Sequence, residues 1–268
     1  MDASLHTPVL RCIDSEGYAR TDNWTPGAGL PIPTIRTPKI SINIKNAISN
    51  LIDKAGSGAR LNETEVSRLF SARGGRFKDV CKAADAMRVD VNGDVVSYVS
   101  NRNINYTNIC YFGCGFCAFS KGRVAENLRE RGYNISLKEI QERTQEAWQR
   151  GATEVCLQGG IHPDYTGETY LSIAKAIKEV QPDIHIHAFS PLEITHGAET
   201  LGLSLVDYLR DLKKAGLSTL PGTAAEILDD EIRQIICADK INTQQWLDVM
   251  RAAHSVGIRS TSTIMFGH

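Results

Sequence analysis

From residue 94 onward the chain alternates short extended segments with longer segments of helical period, and this restricts the fold more than any other feature. VVSYVSNRNINYT reads as extended chain. After a cysteine-containing loop, Ser136 and Glu139 cap a helix that carries Ile140, Ala147 and Trp148 and stops at Gly151. The strand TEVCLQ runs into Gly159-Gly160, and a helix from about Glu168 to Val180 turns Leu171, Ala174 and Ile177 inward before Pro182. IHIHAFS is the next strand, and Ser204 then caps a helix with Leu205, Tyr208, Leu209 and Leu212. STLPGTAAEIL supplies a strand and its loop, Thr243 opens a helix with Trp246, Leu247 and Met250, and IRSTSTIMFGH is the last strand. Strands separated by helices of this length predict an α/β fold with a parallel sheet, and right-handed crossovers roll five such strands into a partial barrel. Function in such barrels collects at the C-terminal ends of the strands. The cysteine loop, Gly159-Gly160, Ser190-Pro191, Pro221-Gly222 and Gly267-His268 are all expected there.

The first 93 residues are organised differently. Residues 1–39 are rich in proline and glycine without periodicity and read as an irregular tail or linker. Residues 40–92 read as a helical segment: Ile44, Ala47, Ile48, Leu51 and Ile52 share one face, and Asn62 with Glu65 forms a capping box. Phe77, Val80, Cys81, Ala84 and Met87 continue the pattern, so Cys81 is expected to be a core thiol. The barrel is assigned to residues 93–268.

Composition narrows the function classes. Thirty basic against 31 acidic residues give a net charge of -1, without the basic excess that nucleic-acid phosphates demand. No apolar run reaches the roughly 18 residues of a membrane-spanning helix, so neither nucleic acid nor membrane is an expected partner. Seven cysteines, an odd number in a chain too long to need stapling, fit a reducing, cytoplasmic location.

Cys110, Cys114 and Cys117 stand in a Cys-x3-Cys-x2-Cys pattern. A helix would scatter them round its circumference, so they need a loop, and Gly113 and Gly115 are expected to give it freedom to wrap an inorganic core. A structural zinc site is normally closed by a fourth Cys or His. No second pair is present, and Cys12, Cys156 and Cys237 are scattered singly as expected packed thiols. Three thiolates suit a [4Fe–4S] cluster with one open iron, although spacing alone leaves zinc open too. His185 and His187 alternate on one strand and share a face. They are candidate substrate contacts or structural histidines. Ser190 and His268 are rim candidates for substrate.

The cysteine loop, with Phe116 just before its third cysteine, resembles the signature of the radical S-adenosylmethionine enzymes. INYTNICYFGCGFCAFSKG, EVCLQGGIHPDYTGETY, HIHAFSPLEITHGA, LPGTAAEILDDEIR, KINTQQWL and TSTIMFGH extend the resemblance over residues 40 to 268, toward the branch that builds the deazaflavin chromophore. That resemblance implies a partial (βα)6 barrel and a [4Fe–4S] cluster held by Cys110, Cys114 and Cys117. It also implies S-adenosylmethionine lying against Phe116, Gly159, Gly160, Glu226 and Gly267. The implied reaction is a radical transfer of the 4-hydroxybenzyl group of L-tyrosine to 5-amino-6-(D-ribitylamino)uracil. The other synthase subunit and an electron donor are the implied protein partners. A menaquinone-pathway (futalosine) enzyme and an inactive, metal-stabilised scaffold are the alternatives. The family's barrel has a sixth strand and helix, so the chain is expected to be C-terminally truncated.

Overall fold

The structure, a computed structural model, describes residues 42–117, 120, 131–223 and 225–265. Cys12, Gly267 and His268 lie outside the described residues. The chain divides into two compact units, with the boundary between Ser97 and Tyr98.

The first unit contains α1 (Ile42–Gly56), α2 (Glu63–Phe70) and α3 (Gly75–Asn92). The Asn62 side chain accepts from Glu65 N at 2.9 Å, and the Glu65 carboxylate accepts from Asn62 N at 2.8 Å, so the expected capping box is present. Among the described residues of this unit only Ile48, Leu51 and Ala72 are buried apolar groups. Cys81 is exposed, contrary to expectation, and no residue of α3 is buried. Periodicity states which residues share a helix face, but not whether another element covers that face.

The second unit is a five-stranded, all-parallel sheet in sequential order: β1 (Asn101–Asn105), β2 (Glu154–Gln158), β3 (His185–Ala188), β4 (Thr219–Leu220) and β5 (Arg259–Ser260). Between the strands lie α4 (Leu137–Gln149), α5 (Gly167–Val180), α6 (Pro191–Leu201), α7 (Leu205–Lys214), α8 (Asp230–Ile236) and α9 (Thr243–Ser255). The expected parallel, partial-barrel α/β architecture is therefore present. Register fixes its two faces. Ile104 pairs with Leu157, and Val155 with Ile186. These residues are fully buried with Tyr170, Ile177, Leu209 and Val249 from the helices. On the other face Asn103 pairs with Cys156, Cys156 with His187, and His187 with Thr219. Parallel strands covered on both sides are usually apolar throughout; a polar inner face instead leaves this barrel a hydrophilic lumen.

Two short elements differ from the sequence reading. The Ser190-Pro191 segment, expected as a loop, opens α6: the Ser190 side chain is the N-cap, Pro191 is the first helical residue and Glu193 closes a capping box. Helix α8 falls between the STLPGTAAEIL segment and the Thr243 helix, where the sequence reading assigns no element. It spans only seven residues behind the Asp229 cap, too few for a periodic pattern to appear.

Candidate functional site

The ends of β1, β2 and β3 and the loops after β4 surround a cavity of about 350 Å3. Its wall includes all three loop cysteines with Phe112 and Phe116, and its floor includes Asn103, Asn105 and Gln158 from the polar strand face. Gly159, Gly160, Ser190, Glu193, Glu226 and Lys240 complete the lining.

Buried polar side chains hold the entrance of the cysteine loop. Thr107 and Asn108 are 0% and 2% exposed. The Thr107 hydroxyl donates to Tyr133 O at 2.7 Å, and the Asn108 side chain accepts from Tyr133 N at 2.7 Å. Gly160 N donates to Thr107 O at 2.9 Å, and Tyr111 N to Ile161 O at 3.2 Å, which joins the loop to the end of β2.

The Gly-Gly pair is a packing necessity. A Cβ on Gly159 would lie 2.4 Å from the Tyr106 ring, and one on Gly160 would lie 2.3 Å from Ile109 O and 2.8 Å from Cys110 Cβ. Gly113 and Gly115 behave differently from expectation. Neither has a positive φ, and a Cβ on either meets nothing nearer than 3.7 Å. The loop's path is set by its anchors rather than by glycine freedom at those two positions.

All three cysteines are free and half-buried. Burial, the main cause, pushes the Cys114 thiol up to about 11, and the Lys240 ammonium pulls against that rise. Among the described residues no three His, Cys, Asp or Glu side chains converge closely enough to hold a single metal ion. Thiols that ring a cavity suit a polynuclear cluster, where each thiolate binds its own iron.

Glu193 ties three strand ends together. It is 1% exposed and accepts from Ser190 N at 2.6 Å, from the Ser190 hydroxyl at 2.5 Å, from the Tyr106 hydroxyl and from the Gly159 backbone. Burial still raises its carboxyl above the usual range, with these donors opposing the rise.

Across the cavity, Glu226 adopts a left-handed φ of 51°, uncommon for a non-glycine residue. It lies in the loop before α8 and not on a helix surface. Its carboxylate accepts from Lys240 Nζ at 3.1 Å, and that ammonium stands 5.3 Å from the centre of the Phe116 ring. The buried Arg233 guanidinium holds this loop in shape, donating to Ala225 O at 2.6 Å, Ile227 O at 3.1 Å and Ile241 O at 2.5 Å.

The candidate residues thus sort by position. Cys110, Cys114, Cys117, Phe116, Gly159, Gly160, Ser190 and Glu226 line one cavity. His185 and His187 share the polar strand face and both reach Thr219 Oγ1, at 2.8 and 2.7 Å. Neither is among the cavity-lining residues. Cys156 is half-buried on the same face, and Cys237 is buried as a packed thiol. Lys240 was not singled out from the sequence. It opens the KINTQQWL stretch that carries part of the resemblance, but the sequence gave it no role of its own.

The radical SAM superfamily model matches residues 104–268, more than half of the chain and every cavity-lining residue except Asn103. The chain belongs to the radical SAM superfamily. It is 44% identical over 275 residues to an FO synthase of Streptomyces coelicolor, an alignment that covers 99% of this chain and 31% of that protein. It is 48% identical over 187 residues to the 5-amino-6-(D-ribitylamino)uracil–L-tyrosine 4-hydroxyphenyl transferase of Archaeoglobus fulgidus, covering 70% of this chain and 52% of that one. The chain therefore spans about a third to a half of these relatives' lengths. Among solved structures, methylornithine synthase superposes with a TM-score of 0.59 at 21% identity, covering 81% of this chain and 59% of that one. The [FeFe]-hydrogenase maturase HydG of Carboxydothermus hydrogenoformans gives 0.57 at 22%, covering 81% and 47%. These two likenesses establish the fold. Radical SAM enzymes generally use a [4Fe–4S] cluster and S-adenosylmethionine. Among the described residues no helix is long and apolar enough to cross a membrane.

Proposed function

We propose that this chain carries the transferase activity that joins the 4-hydroxybenzyl group of L-tyrosine to 5-amino-6-(D-ribitylamino)uracil in deazaflavin biosynthesis. The observation that carries the reading is the 48% identity to a relative bearing that transferase's name, over 187 residues and 70% of this chain. The donor set fits the cofactors: three thiols and an aromatic ring line one wall of the cavity, and a carboxylate and a half-buried cation complete its lining.

Cys110, Cys114 and Cys117 would hold the cluster. Gly159 and Gly160 would present backbone to S-adenosylmethionine, Lys240 would meet its carboxylate, Glu226 a ribose hydroxyl, and Phe116 its adenine. When bound, the cluster and S-adenosylmethionine would supply the radical chemistry of the transfer. The chain's own share is orientation and exclusion of water. Glu193 locks the Gly-Gly turn against Tyr106 and Ser190. Asn103, Asn105 and Gln158 offer amides to a polar substrate, with Ser190 at the rim and His185 and His187 on the same strand face. Tyrosine and the ribityl uracil are the substrates of this reading, and an electron donor and the other half of the synthase are its partners.

The test is anaerobic reconstitution with iron and sulfide, then incubation with a reductant, S-adenosylmethionine and both substrates. Mass spectrometry should detect 5′-deoxyadenosine and the tyrosine–uracil adduct together. Turnover of a futalosine-type substrate instead would reject this reading.

A further inference from the structure

The end of α8 and the segment joining it to α9 make a second set of contacts with the cysteine loop, besides those from the end of β2. Gly113 N donates to Asp239 Oδ2 at 2.6 Å, and Gly115 N donates to Ile236 O at 2.9 Å. Both donors flank Cys114. The next residue, Lys240, lies over Phe116. Three consecutive features of the loop (Gly113, Gly115 and Phe116) are thus held by residues 236 to 240. These contacts have two consequences.

The first is mechanical. Apart from one turn, closed by Cys117 N donating to Cys114 O at 3.2 Å, the described residues from 110 to 117 form no regular structure, so the loop's shape depends on such anchors. Asp239 supplies a charge-assisted bond, shorter and stronger than an amide–carbonyl one.

The second is electrostatic. Backbone amides aimed at cluster sulfurs, and positive charge nearby, raise a cluster's reduction potential; negative charge lowers it. The amides of Tyr111, Gly113, Gly115 and Cys117 are committed to Ile161 O, Asp239 Oδ2, Ile236 O and Cys114 O. Ser120 N alone of the described loop amides reaches a ligand sulfur, Cys117 Sγ at 3.3 Å. The Asp239 carboxylate adds a negative charge directly behind the loop.

Resting on the cluster reading above, we propose that Asp239 is a positioning residue for the cluster: it clamps the Cys110–Cys117 loop through Gly113 and, by its charge, holds the cluster's reduction potential down. The α8–α9 connection, more than a hundred residues from the cysteines in sequence, is then part of the cluster-binding apparatus.

Two substitutions separate the two roles. Asp239→Asn keeps an acceptor for Gly113 N and removes the charge. Asp239→Ala removes both. Asp248→Asn serves as a net-charge control, because Asp248 is exposed and pairs with Gln244 and Arg251 instead of the loop. Each chain is reconstituted anaerobically, its iron and sulfide are counted, its cluster is titrated potentiometrically by electron paramagnetic resonance, and iron loss to a chelator is timed. Asp239→Asn is expected to keep its iron while its reduced-to-oxidised ratio at a fixed potential rises about threefold or more, the size of one near-surface charge effect. Asp239→Ala is expected to lose iron about tenfold faster than the wild type, the equivalent of one charge-assisted hydrogen bond. Asp248→Asn should match the wild type. If the wild type holds a cluster and both Asp239 variants match it in potential and iron retention, this proposal fails alone. If the wild type takes up no iron, the cluster reading fails and takes the proposal with it.

Discussion

Replacing Gly160 by alanine tests whether the Gly-Gly turn is a fixed abutment for the cysteine loop. The new methyl would start 2.3 Å from Ile109 O, 2.8 Å from Ile109 C and 2.8 Å from Cys110 Cβ. Carbon–oxygen and carbon–carbon contacts relax to about 3.5 Å or more, so the two backbones must separate by roughly an ångström. The atoms struck are backbone and the first carbon of a ligand side chain, so a rotamer change cannot relieve the clash. Overpacking of this kind costs about 1–3 kcal/mol, which lowers the melting temperature by roughly 2–12 °C in a domain of this size. Displacement of Cys110 should also reduce iron uptake, because ligand sets tolerate misplacement of only about 0.5 Å. Gly113→Ala is the matched control: its Cβ would meet only Asp239 Oδ2, at 3.7 Å, and surface changes of this kind stay within about 0.5 kcal/mol. Thermal unfolding and iron counting on both variants decide the matter. A Gly160→Ala chain as stable and as iron-rich as Gly113→Ala would refute the packing argument.

Glu193→Ala should destabilise the chain by about 3–5 kcal/mol in urea unfolding, because it leaves several buried donors without an acceptor. Burial raises the Glu193 pKa in the folded chain, so its favourable contribution is complete below the unfolded value of about 4.3 and declines as pH rises through the folded value. The wild type should accordingly lose stability relative to Glu193→Gln across that window; a pH-independent difference would contradict the assignment. Arg233→Met should cost roughly 3 kcal/mol or more, from three lost charge-assisted bonds to buried carbonyls, and should perturb Glu226 as well, visible as weaker S-adenosylmethionine binding. Lys240→Met should raise the dissociation constant for S-adenosylmethionine by about tenfold or more while leaving iron content unchanged, as measured by equilibrium dialysis.

The sequence carried the order of strands and helices because their periods, caps and glycine stops are local: Ser136, Ser204 and the Asn62–Glu65 box lie at helix starts as read. The cysteine trio and the Gly-Gly pair were also legible, since their meaning lies in spacing. What escaped was long-range. Ser190 and Glu193 show the spacing of a helix start, yet nothing local says that this carboxylate reaches the hydroxyl of Tyr106, 87 residues earlier. Asp239 meets Gly113 across 126 residues and comes from a connection whose helix is too short to show a period. Cys81 marks the converse error, where a sound helical pattern was taken as evidence of burial. The glycines at 113 and 115 carried less than expected, and those at 159 and 160 more, because the constraint is a neighbour's position and not the residue's own φ.

The most direct test of the account is the electron paramagnetic resonance spectrum of the anaerobically reconstituted, reduced chain with and without S-adenosylmethionine. A cluster held by Cys110, Cys114 and Cys117 with one open iron predicts about four irons and four sulfides per chain, a reduced-cluster signal that shifts when S-adenosylmethionine is added, and loss of that signal on replacing any of the three cysteines by alanine. A colourless chain with one tightly bound zinc, or a cluster signal indifferent to S-adenosylmethionine, would contradict it.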